Sequence, residues 1–154
     1  QYLIRTELSP LPHIWADAQQ LRQVLHNLVK NAIEAHPQPA QKLPTIDIHT
    51  EYHTLQSDSL IPAQAVKLSI RDNGSGFPEH VLARMFEPYN SNKTHGTGLG
   101  LPIVKKIMDA HHAQISVKNV IEKSPPHAII GAQIDILFIN IANKDANKET
   151  IQLL

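Results

Sequence analysis

The sequence predicts one domain of the α/β class, in which strands and helices share a single core. The length of 154 residues fits one domain with a substantial core. Between residues 17 and 35 the apolar residues recur at intervals of three and four, as in an amphipathic helix. The ranges 45–55 and 65–72 instead alternate apolar and polar residues, which is typical of half-buried strands.

Composition and charge exclude several classes of function. Lys plus Arg and Asp plus Glu both number 14, so no charge excess indicates a nucleic-acid or membrane-surface partner. The absence of cysteine excludes disulfides, thiolate metal sites and cysteine nucleophiles. No stretch reaches the roughly 20 apolar residues of a membrane span. Because the chain begins with Gln1 and not with methionine, we expect a segment of a longer protein.

The other elements are predicted from local composition. Asp17 is a good N-cap for the long helix, which prolines end shortly after Ala35. Strands are predicted at residues 2–8, 45–55, 65–72, 114–121 and 131–139, and a short helix at 78–85. We expect residues 1–140 to form the domain and residues 141–154 a polar C-terminal tail.

The long helix carries two separate stripes. Its buried stripe is predicted to comprise Leu21, Val24, Leu25, Leu28, Ala32 and Ile33. Asn27, Asn31 and Glu34 lie on a different stripe and are neighbours, because they are spaced by four and three residues. Asparagine is a mediocre helix former, so the two asparagines are either solvent-exposed or turned to a ligand. Their amide oxygens suit a hard cation such as Mg²⁺.

A turn-forming stretch, Asp72-Asn73-Gly74-Ser75-Gly76, follows directly after a predicted strand. Asp-Asn-Gly is common in tight hairpin turns, but the residues that follow favour a short helix and not a second strand. A carboxylate beside glycines that let a ligand approach closely suits a ligand with donors, such as an exocyclic amine. A tight turn and a ligand site are both compatible with these residues.

A second glycine-rich stretch, Gly96 to Gly100, leads into a helix with Pro102 in its first turn. The free N–H groups and the positive dipole end of such a helix start attract anions, phosphate above all. Ordinary loops that begin a helix share this spacing, so the stretch alone leaves both interpretations open. The preceding residues, 85–95, suit either a mobile lid with Lys93 in reach of phosphate oxygens or a plain surface loop.

Four motifs occur in order along the chain. They are Asn27-x-x-x-Asn31-Ala32, Asp72-x-Gly74-x-Gly76, Phe86-Glu87-Pro88-Tyr89 and Gly96-x-Gly98-x-Gly100-Leu101. They resemble the N, G1, F and G2 boxes of the ATP-binding catalytic domain of sensor histidine kinases, within the superfamily of gyrase-type ATPases. The run from Leu21 to Ala35 resembles the nitrogen-regulation class in particular. The resemblance implies the Bergerat ATP-binding fold, an α/β sandwich (α+β) with a mixed sheet of about five strands and about three helices on one face.

The resemblance also implies roles for individual residues. The positions that match the ATP-binding residues of the family are Asn27, Lys30, Asn31, Asp72, Gly74, Gly76, Phe86, Lys93, Gly96, Thr97, Gly98, Leu99, Gly100 and Leu101. Asn31 would bind Mg²⁺, Lys30 would reach a phosphate, and Asp72 would accept from the adenine amino group. Phe86 would anchor the lid, and the last glycines would form its hinge. ATP and Mg²⁺ are therefore the expected cofactors.

Position 27 indicates the type of reaction. Asn27 matches a position that, in the hydrolysing relatives, is a glutamate that activates water. An asparagine cannot act as a base at neutral pH. Transfer to a protein nucleophile is therefore favoured over hydrolysis. Three departures from the family pattern lie elsewhere. His111-His112-Ala113 replaces the usual glycines after the last helix motif, and Pro88 stands where many relatives carry arginine. The usual threonines of the lid appear as Ser91 and Asn92.

The phosphoacceptor histidine is expected outside this chain, so no catalytic residue is assigned within it. None of the ten histidines has the family's context, next to an acidic residue and shortly before a proline in a helical hairpin. The implied partners are a dimerisation and phosphoacceptor domain of the same kinase and a downstream response regulator, without nucleic acid. The resemblance implies a homodimeric full-length protein, a monomeric fragment, and a cytoplasmic domain of a bacterial inner-membrane sensor. The alternative function is a non-catalytic, nucleotide-sensing or pseudokinase docking module of the same fold.

Overall fold

The computed structural model describes residues 1–36, 42–55, 63–88, 98–139 and 141. They contain strands β1 (Leu3–Leu8), β2 (Thr45–Leu55), β3 (Ala63–Asp72), β4 (Gln114–Ile121) and β5 (Ile129–Phe138), and helices α1 (Ala18–Glu34), α2 (Glu79–Leu82) and α3 (Gly100–Ala110). All the predicted elements are present, but some of their ends were wrong. β3 and β5 begin two residues earlier than predicted because main-chain pairing continues beyond the alternating side-chain pattern. The predicted helix at 78–85 is a single turn followed by hydrogen-bonded turns.

The five strands form one mixed sheet in the order β1-β2-β3-β5-β4. β1 runs parallel to β2, with Leu3 opposite Thr45, and all other neighbours are antiparallel. Parallel neighbours need a crossover, which α1 supplies between β1 and β2. β3 therefore lies at the centre of the sheet. Its last residue, Asp72, is in register with Ile46 of β2, and its side chain accepts a hydrogen bond from Ala132 of β5. The mixed five-stranded sheet is the one that the resemblance implied.

Helices α1 and α3 cover one face of the sheet, and the core lies between the two layers. α1 contacts β2 and β3, α3 contacts β4, and the two helices pack on each other. The buried cluster comprises Ile14, Leu21, Val24, Leu28, Ala32, Ile46, Val66, Ile70, Val104, Ile107, Met108, Ala113, Ile134, Ile136 and Phe138. Leu25 was predicted to be buried but is 38% exposed, because it lies about 100° around the helix from Val24, at the margin of the buried stripe.

The start of α1 is joined to the end of α3. Asp17 caps α1 as predicted, since its side chain accepts from the N–H of Gln20 at 2.9 Å. The Nε2 atom of His111 accepts from the backbone N–H of Asp17 at 2.9 Å, so its Nδ1 is the donor to the Ile107 carbonyl at 2.8 Å. Of the helices in the described ranges, none has the length and apolar character needed to cross a membrane.

α3 ends in a left-handed turn although it lacks the usual glycine. His112 has φ +52°, its N–H donates to the Asp109 carbonyl at 3.0 Å, and the N–H of Ala113 donates to the Met108 carbonyl at 2.9 Å. These two bonds form a Schellman motif, with buried Met108 and Ala113 as its apolar pair. His112 in place of a glycine therefore raises the conformational energy of this turn but leaves its geometry unchanged.

Candidate functional site

Asn31 lies against the first residue of α3. A Cβ atom placed on Gly100 would be 3.5 Å from Nδ2 and 3.7 Å from Oδ1 of Asn31. The side-chain amide of the long helix therefore faces the amino end of α3. The structure thus brings the first and the last of the four sequence motifs together.

The turn formed by Asp72–Gly76, here called the Asp72 turn, contacts α1 one helical turn beyond Asn31. The backbone N–H and the hydroxyl of Ser75 both donate to the Ala35 carbonyl, each at 3.1 Å. A Cβ on Gly74 would be 2.7 Å from the Cβ of Ala35. Asn31 and Ala35 are separated by about 6 Å of helix rise. The Asp72 turn and the start of α3 consequently flank the same end of α1.

The carboxylate of Asp72 is half-buried and only partly satisfied. Its Oδ1 atom accepts from the N–H of Gly74 at 2.8 Å and from the N–H of Ala132 at 3.2 Å. Within the described ranges Oδ2 has no hydrogen-bond partner. Burial raises the pKa of Asp72, against the opposing effect of these two amides and of the charges on His36 and Lys42. Oδ2 is therefore a poorly solvated acceptor that is free to receive a donor from a ligand.

Glycines make this close packing possible. Gly131 of β5 has φ +154°, and a Cβ there would lie 2.0 Å from the carbonyl oxygen of Asp72. Gly76 has φ +67°, and a Cβ there would lie 2.5 Å from Cγ2 of Ile129. Gly74 and Gly76 were predicted as site residues, whereas Gly131 was missed. It stood at the first residue of a predicted strand, and only the observed strand, which begins at Ile129, places it in the interior, where a glycine often marks close backbone approach.

Asn73 and His36 hold the turn in place, and neither was predicted as a site residue. Oδ1 of Asn73 accepts from the N–H of Thr45 at 2.8 Å, and its Nδ2 donates to the Leu43 carbonyl at 3.1 Å. These two bonds define the orientation of the amide, so Nε2 of His36, 2.7 Å from the same Oδ1, is a donor. His36 is only 5% exposed. The end of α1, the start of β2 and the Asp72 turn therefore form one hydrogen-bonded unit.

Asn119 of β4 fixes the other side of the turn and was also missed. Its Oδ1 accepts from the N–H of Phe77, and its Nδ2 donates to the Phe77 carbonyl, both at 2.8 Å. The side chain thus acts as a strand partner for one residue of the loop. Nothing in the sequence distinguishes Asn119 from other polar strand residues.

The amino end of α3 has no side-chain cap within the described residues. Gly98 has φ +66°, and the next residues, Leu99 to Leu101, are half-buried. Pro102 has no N–H. The amides of Gly100 and Leu101 therefore point outward without a partner from the helix itself, a geometry that favours an anion. The predicted helix start is confirmed, whereas phosphate binding stays a prediction.

Asn27 and Lys30 differ in their surroundings. Asn27 is half-buried one turn before Asn31. Lys30 is 62% exposed and lies 3.8 Å from Glu34, four residues later. Such an exposed pair contributes little to stability, so Lys30 can turn to another anion at low cost. Phe86 is half-buried.

Asn31 fits a magnesium ion only as one ligand among others. Within the described residues no group of three or more histidine, aspartate or glutamate side chains could hold a metal. Mg²⁺ is usually bound through one or two protein oxygens, with water and phosphate oxygens completing the shell. The amide oxygen of Asn31 meets that requirement. The predicted site residues Lys93, Gly96 and Thr97 lie outside the described residues.

Comparison with known families decides the assignment. Residues 16–138 match the family of histidine kinase-, DNA gyrase B- and HSP90-like ATPases. The chain belongs to this family. The matched range includes all four motifs and every element from α1 to β5.

Curated proteins that are similar to this chain include kinases and sensor histidine kinases. Sporulation kinase B of Bacillus subtilis is 35% identical over 120 residues, which are 78% of this chain and 25% of the relative. The sensory histidine kinase/phosphatase NtrB of Rhodobacter capsulatus is 37% identical over 122 residues, or 76% of this chain and 33% of the relative. The sensor histidine kinase ZraS of Escherichia coli O157:H7 is 36% identical over 141 residues, or 91% and 26%. This chain therefore spans about a quarter to a third of these relatives.

Solved structures share the fold. The nucleotide-free catalytic domain of histidine kinase ThkA has a TM-score of 0.66 and 28% identity, over 90% of this chain and 78% of that domain. Full-length ShkA in complex with AMPPNP has a TM-score of 0.67 and 26% identity, over 92% of this chain and 26% of that protein. The fold is thus that of the catalytic domains of sensor histidine kinases, as the resemblance predicted.

Proposed function

We propose that this chain binds Mg·ATP and presents its γ-phosphoryl group to a histidine in a dimerisation domain outside the chain. The observation that carries the proposal is the placement of two complementary groups at one end of α1. Asp72 offers an open carboxylate oxygen on one side, and the uncapped start of α3 lies beside Asn31 on the other. Adenine carries a donor and the triphosphate carries the negative charge, so ATP matches both groups.

The residues have separate roles in this proposal. Oδ2 of Asp72 accepts from the adenine amino group, and Gly74 and Gly76 leave room for the ring. The phosphates lie at the amides that begin α3. Asn31 supplies an oxygen ligand to Mg²⁺, which neutralises phosphate charge when bound. Lys30 extends from the exposed side of α1 towards a phosphate.

The remaining predicted ATP-binding residues surround the nucleotide. Gly98 supplies the left-handed turn before α3, where Leu99 and Leu101 pack beneath the phosphates. Phe86 anchors one end of the lid. Lys93, Gly96 and Thr97 belong to the lid and its hinge in the proposal, because their motif positions correspond to those of the family.

Phosphoryl transfer is proposed over hydrolysis because of residue 27. An asparagine amide is not a base at neutral pH, so Asn27 orients groups near the triphosphate and does not activate water. Transfer mainly requires positioning and charge neutralisation, which this domain supplies. The retention of Asn31 and Asp72 does not favour the alternative of a non-catalytic docking module.

The proposed setting is a two-component system. The acceptor domain of the same kinase and a downstream response regulator are the partners, and the full-length protein is a homodimer. We place this domain on the cytoplasmic side of an inner-membrane sensor.

Calorimetric titration tests the proposal. The chain should bind Mg·ATP at least about 100-fold more tightly than Mg·GTP, because a guanine carbonyl would face the Asp72 carboxylate. Wild type should bind ATP more tightly in the presence of Mg²⁺ than in the presence of a metal chelator. Asn31→Ala should lose most of this difference in affinity, whereas Gln133→Ala, on the opposite face of the sheet, should keep it. Addition of the helical acceptor domain and labelled ATP should then give phosphohistidine. Failure of the wild-type chain to bind Mg·ATP would overturn the proposal.

A further inference from the structure

The outer edge of β1 has no paired strand among the described residues and lacks the features that usually protect a sheet edge. All six residues, Leu3–Leu8, are exposed, and within the described residues β1 pairs with β2 alone. The strand contains no proline, and its register with β2 shows no bulge. Such edges pair readily with other strands unless something protects them.

The backbone groups on this edge belong to the even-numbered residues. The N–H of Leu3 donates to the Pro44 carbonyl at 2.8 Å, on the side of β2. Successive residues of a strand direct their amides to opposite sides. Ile4, Thr6 and Leu8 therefore direct their N–H and C=O groups away from β2, where a second strand can receive them.

The side chains of β1 are divided between the two faces of the sheet. Arg5 forms a bidentate pair with Asp47, at 2.6 and 2.9 Å, on the open face. Glu7 lies on the same face, 3.4 Å from Nδ1 of His49. Ile4 and Leu8 lie on the helical face and are 41% and 65% exposed. The edge thus presents a cation and an anion beside Leu3 on the open face, and the aliphatic side chains of Ile4 and Leu8 on the helical face.

We propose that the β1 edge pairs with the β1 edge of a second copy of this chain, antiparallel, with Thr6 on the two-fold axis. Thr6 then lies opposite Thr6, and Ile4 opposite Leu8 of the second copy. Arg5 of each copy lies opposite Glu7 of the other copy. Each of these is a favourable cross-strand pair. The outward backbone groups of Ile4, Thr6 and Leu8 meet their counterparts, and the two sheets become one sheet of ten strands with an isologous contact.

The charges select this register over its neighbours. A shift of the axis to Arg5 would oppose two arginines, and a shift to Glu7 would oppose two glutamates, both of which are unfavourable. A shift by a single residue would bring the aliphatic side chains opposite the charged ones. Only pairing about Thr6 satisfies the charges, the apolar pair and the backbone together.

The contact is too small for a tight dimer in dilute solution. One six-residue strand per copy buries much less than the ~1,600 Å² of a standard stable interface. The isolated chain is therefore monomeric in dilute solution and associates at high concentration. Within a protein that is dimerised elsewhere, the tether raises the effective concentration to about the millimolar range.

Sedimentation of this chain over micromolar to millimolar concentration tests the pairing. Wild type should move from monomer towards dimer as the concentration rises. Glu7→Arg and Arg5→Glu should each weaken self-association at least about tenfold, because like charges then oppose each other. An equal mixture of the two variants should associate as strongly as wild type, since every opposed pair is again Arg with Glu. Lys118→Glu on β4, which changes the net charge as Arg5→Glu does, should behave as wild type.

Thr6→Pro provides a second test that does not depend on charge. It removes an N–H that the fold of one copy does not use, so its unfolding curve should remain cooperative while self-association is lost. The proposal is overturned if wild type stays monomeric throughout, if the mixture associates no better than either variant, or if Thr6→Pro associates as wild type does. Nucleotide binding does not enter these outcomes, so they are independent of the proposed function.

Discussion

Asp72 and Asp135 lie on neighbouring central strands but in opposite electrostatic situations. Asp72 has two backbone amides on one oxygen and nothing on the other within the described chain, and burial raises its pKa. Burial also opposes ionisation of Asp135, whose side chain is 13% exposed, but Ser69, Gln133 and the charges of Lys67 and Lys118 outweigh it and lower its pKa. The fold satisfies one carboxylate and leaves the other incomplete.

The two ends of α3 show the same contrast. At its start, no described side chain caps the helix, and Gly100 leaves space beside Asn31. At its end, the Schellman bonds of His112 and Ala113 satisfy the carbonyls of Asp109 and Met108, and the ring of His111 satisfies that of Ile107. The incomplete carboxylate and the open helix start both flank the end of α1. Within the described residues, two polar groups that flank the end of α1 are thus left unsatisfied where a ligand is proposed, as in a binding site formed in advance.

The largest expected effect tests the support of Asp72. Gly131→Ala should lower the free energy of unfolding by at least about 3 kcal/mol, because its Cβ would lie 2.0 Å from the Asp72 carbonyl oxygen. Urea denaturation measures the loss. Gly100→Ala is the matched control: among the described residues outside its own helix backbone, its Cβ would have no neighbour closer than 3.5 Å, so stability should stay equal or rise by up to about 1 kcal/mol. Equal stability of Gly131→Ala and wild type would contradict the close packing.

Asp72→Asn should separate function from stability. ATP affinity should fall about 100-fold, because an amide N–H would replace an acceptor beside the adenine amine. Stability at neutral pH should rise, because the variant avoids the desolvated charge. A raised acid pKa makes the wild type less stable as pH rises through it, so the gain should be smallest in acid and reach a plateau above the pKa. Calorimetry and pH-dependent denaturation measure the two effects, and a gain that grew on acidification would refute the assignment.

Asp135→Asn should give the opposite result. Its lowered pKa means that the carboxylate stabilises the fold above its ordinary pKa and loses this contribution as pH falls through the lowered value. The variant should be about 1 kcal/mol less stable at neutral pH, with a difference that closes in acid. ATP affinity should stay within about twofold of wild type. A loss of affinity as large as that of Asp72→Asn would abolish the distinction between the two carboxylates.

The smallest effect concerns the closed end of α3. His112→Gly should raise the free energy of unfolding by about 0.5–1 kcal/mol, because glycine adopts a positive φ without steric cost. His112→Ala retains the strain and should show no gain. Thermal unfolding measures both, and ATP affinity should be unaffected. If alanine stabilised the chain as much as glycine, the histidine side chain and not its backbone would be responsible.

Much of the fold could be predicted because it depends on local patterns. The period of α1, the Asp17 cap and the alternation of β2 are properties of short stretches of sequence. Element ends were less accurate, since pairing with neighbouring strands extends β3 and β5. Leu25 was misassigned because the width of a buried stripe depends on what lies opposite it.

The candidate site was predictable in part and for a different reason. Asn31 and Asp72 were found because each belongs to a recurring motif. Gly131, Asn119 and His36 were missed, because each acts on a residue far away in sequence: the Asp72 carbonyl, Phe77 and Asn73. No local composition reports such contacts.

The amino-acid sequence specifies the elements, the family motifs and the residue types of the proposed Mg·ATP site, because these follow from local periodicity and side-chain chemistry. Tertiary structure decides which of those residues meet. Gly100 comes to lie on Asn31 because α1 and α3 pack together. Among the described residues, Asp72 keeps an oxygen without a partner because β5 approaches closely enough at Gly131 to occupy only the other one. The β1 edge is available for the proposed pairing because, in the described part of the chain, the sheet gives it a neighbour on one side only.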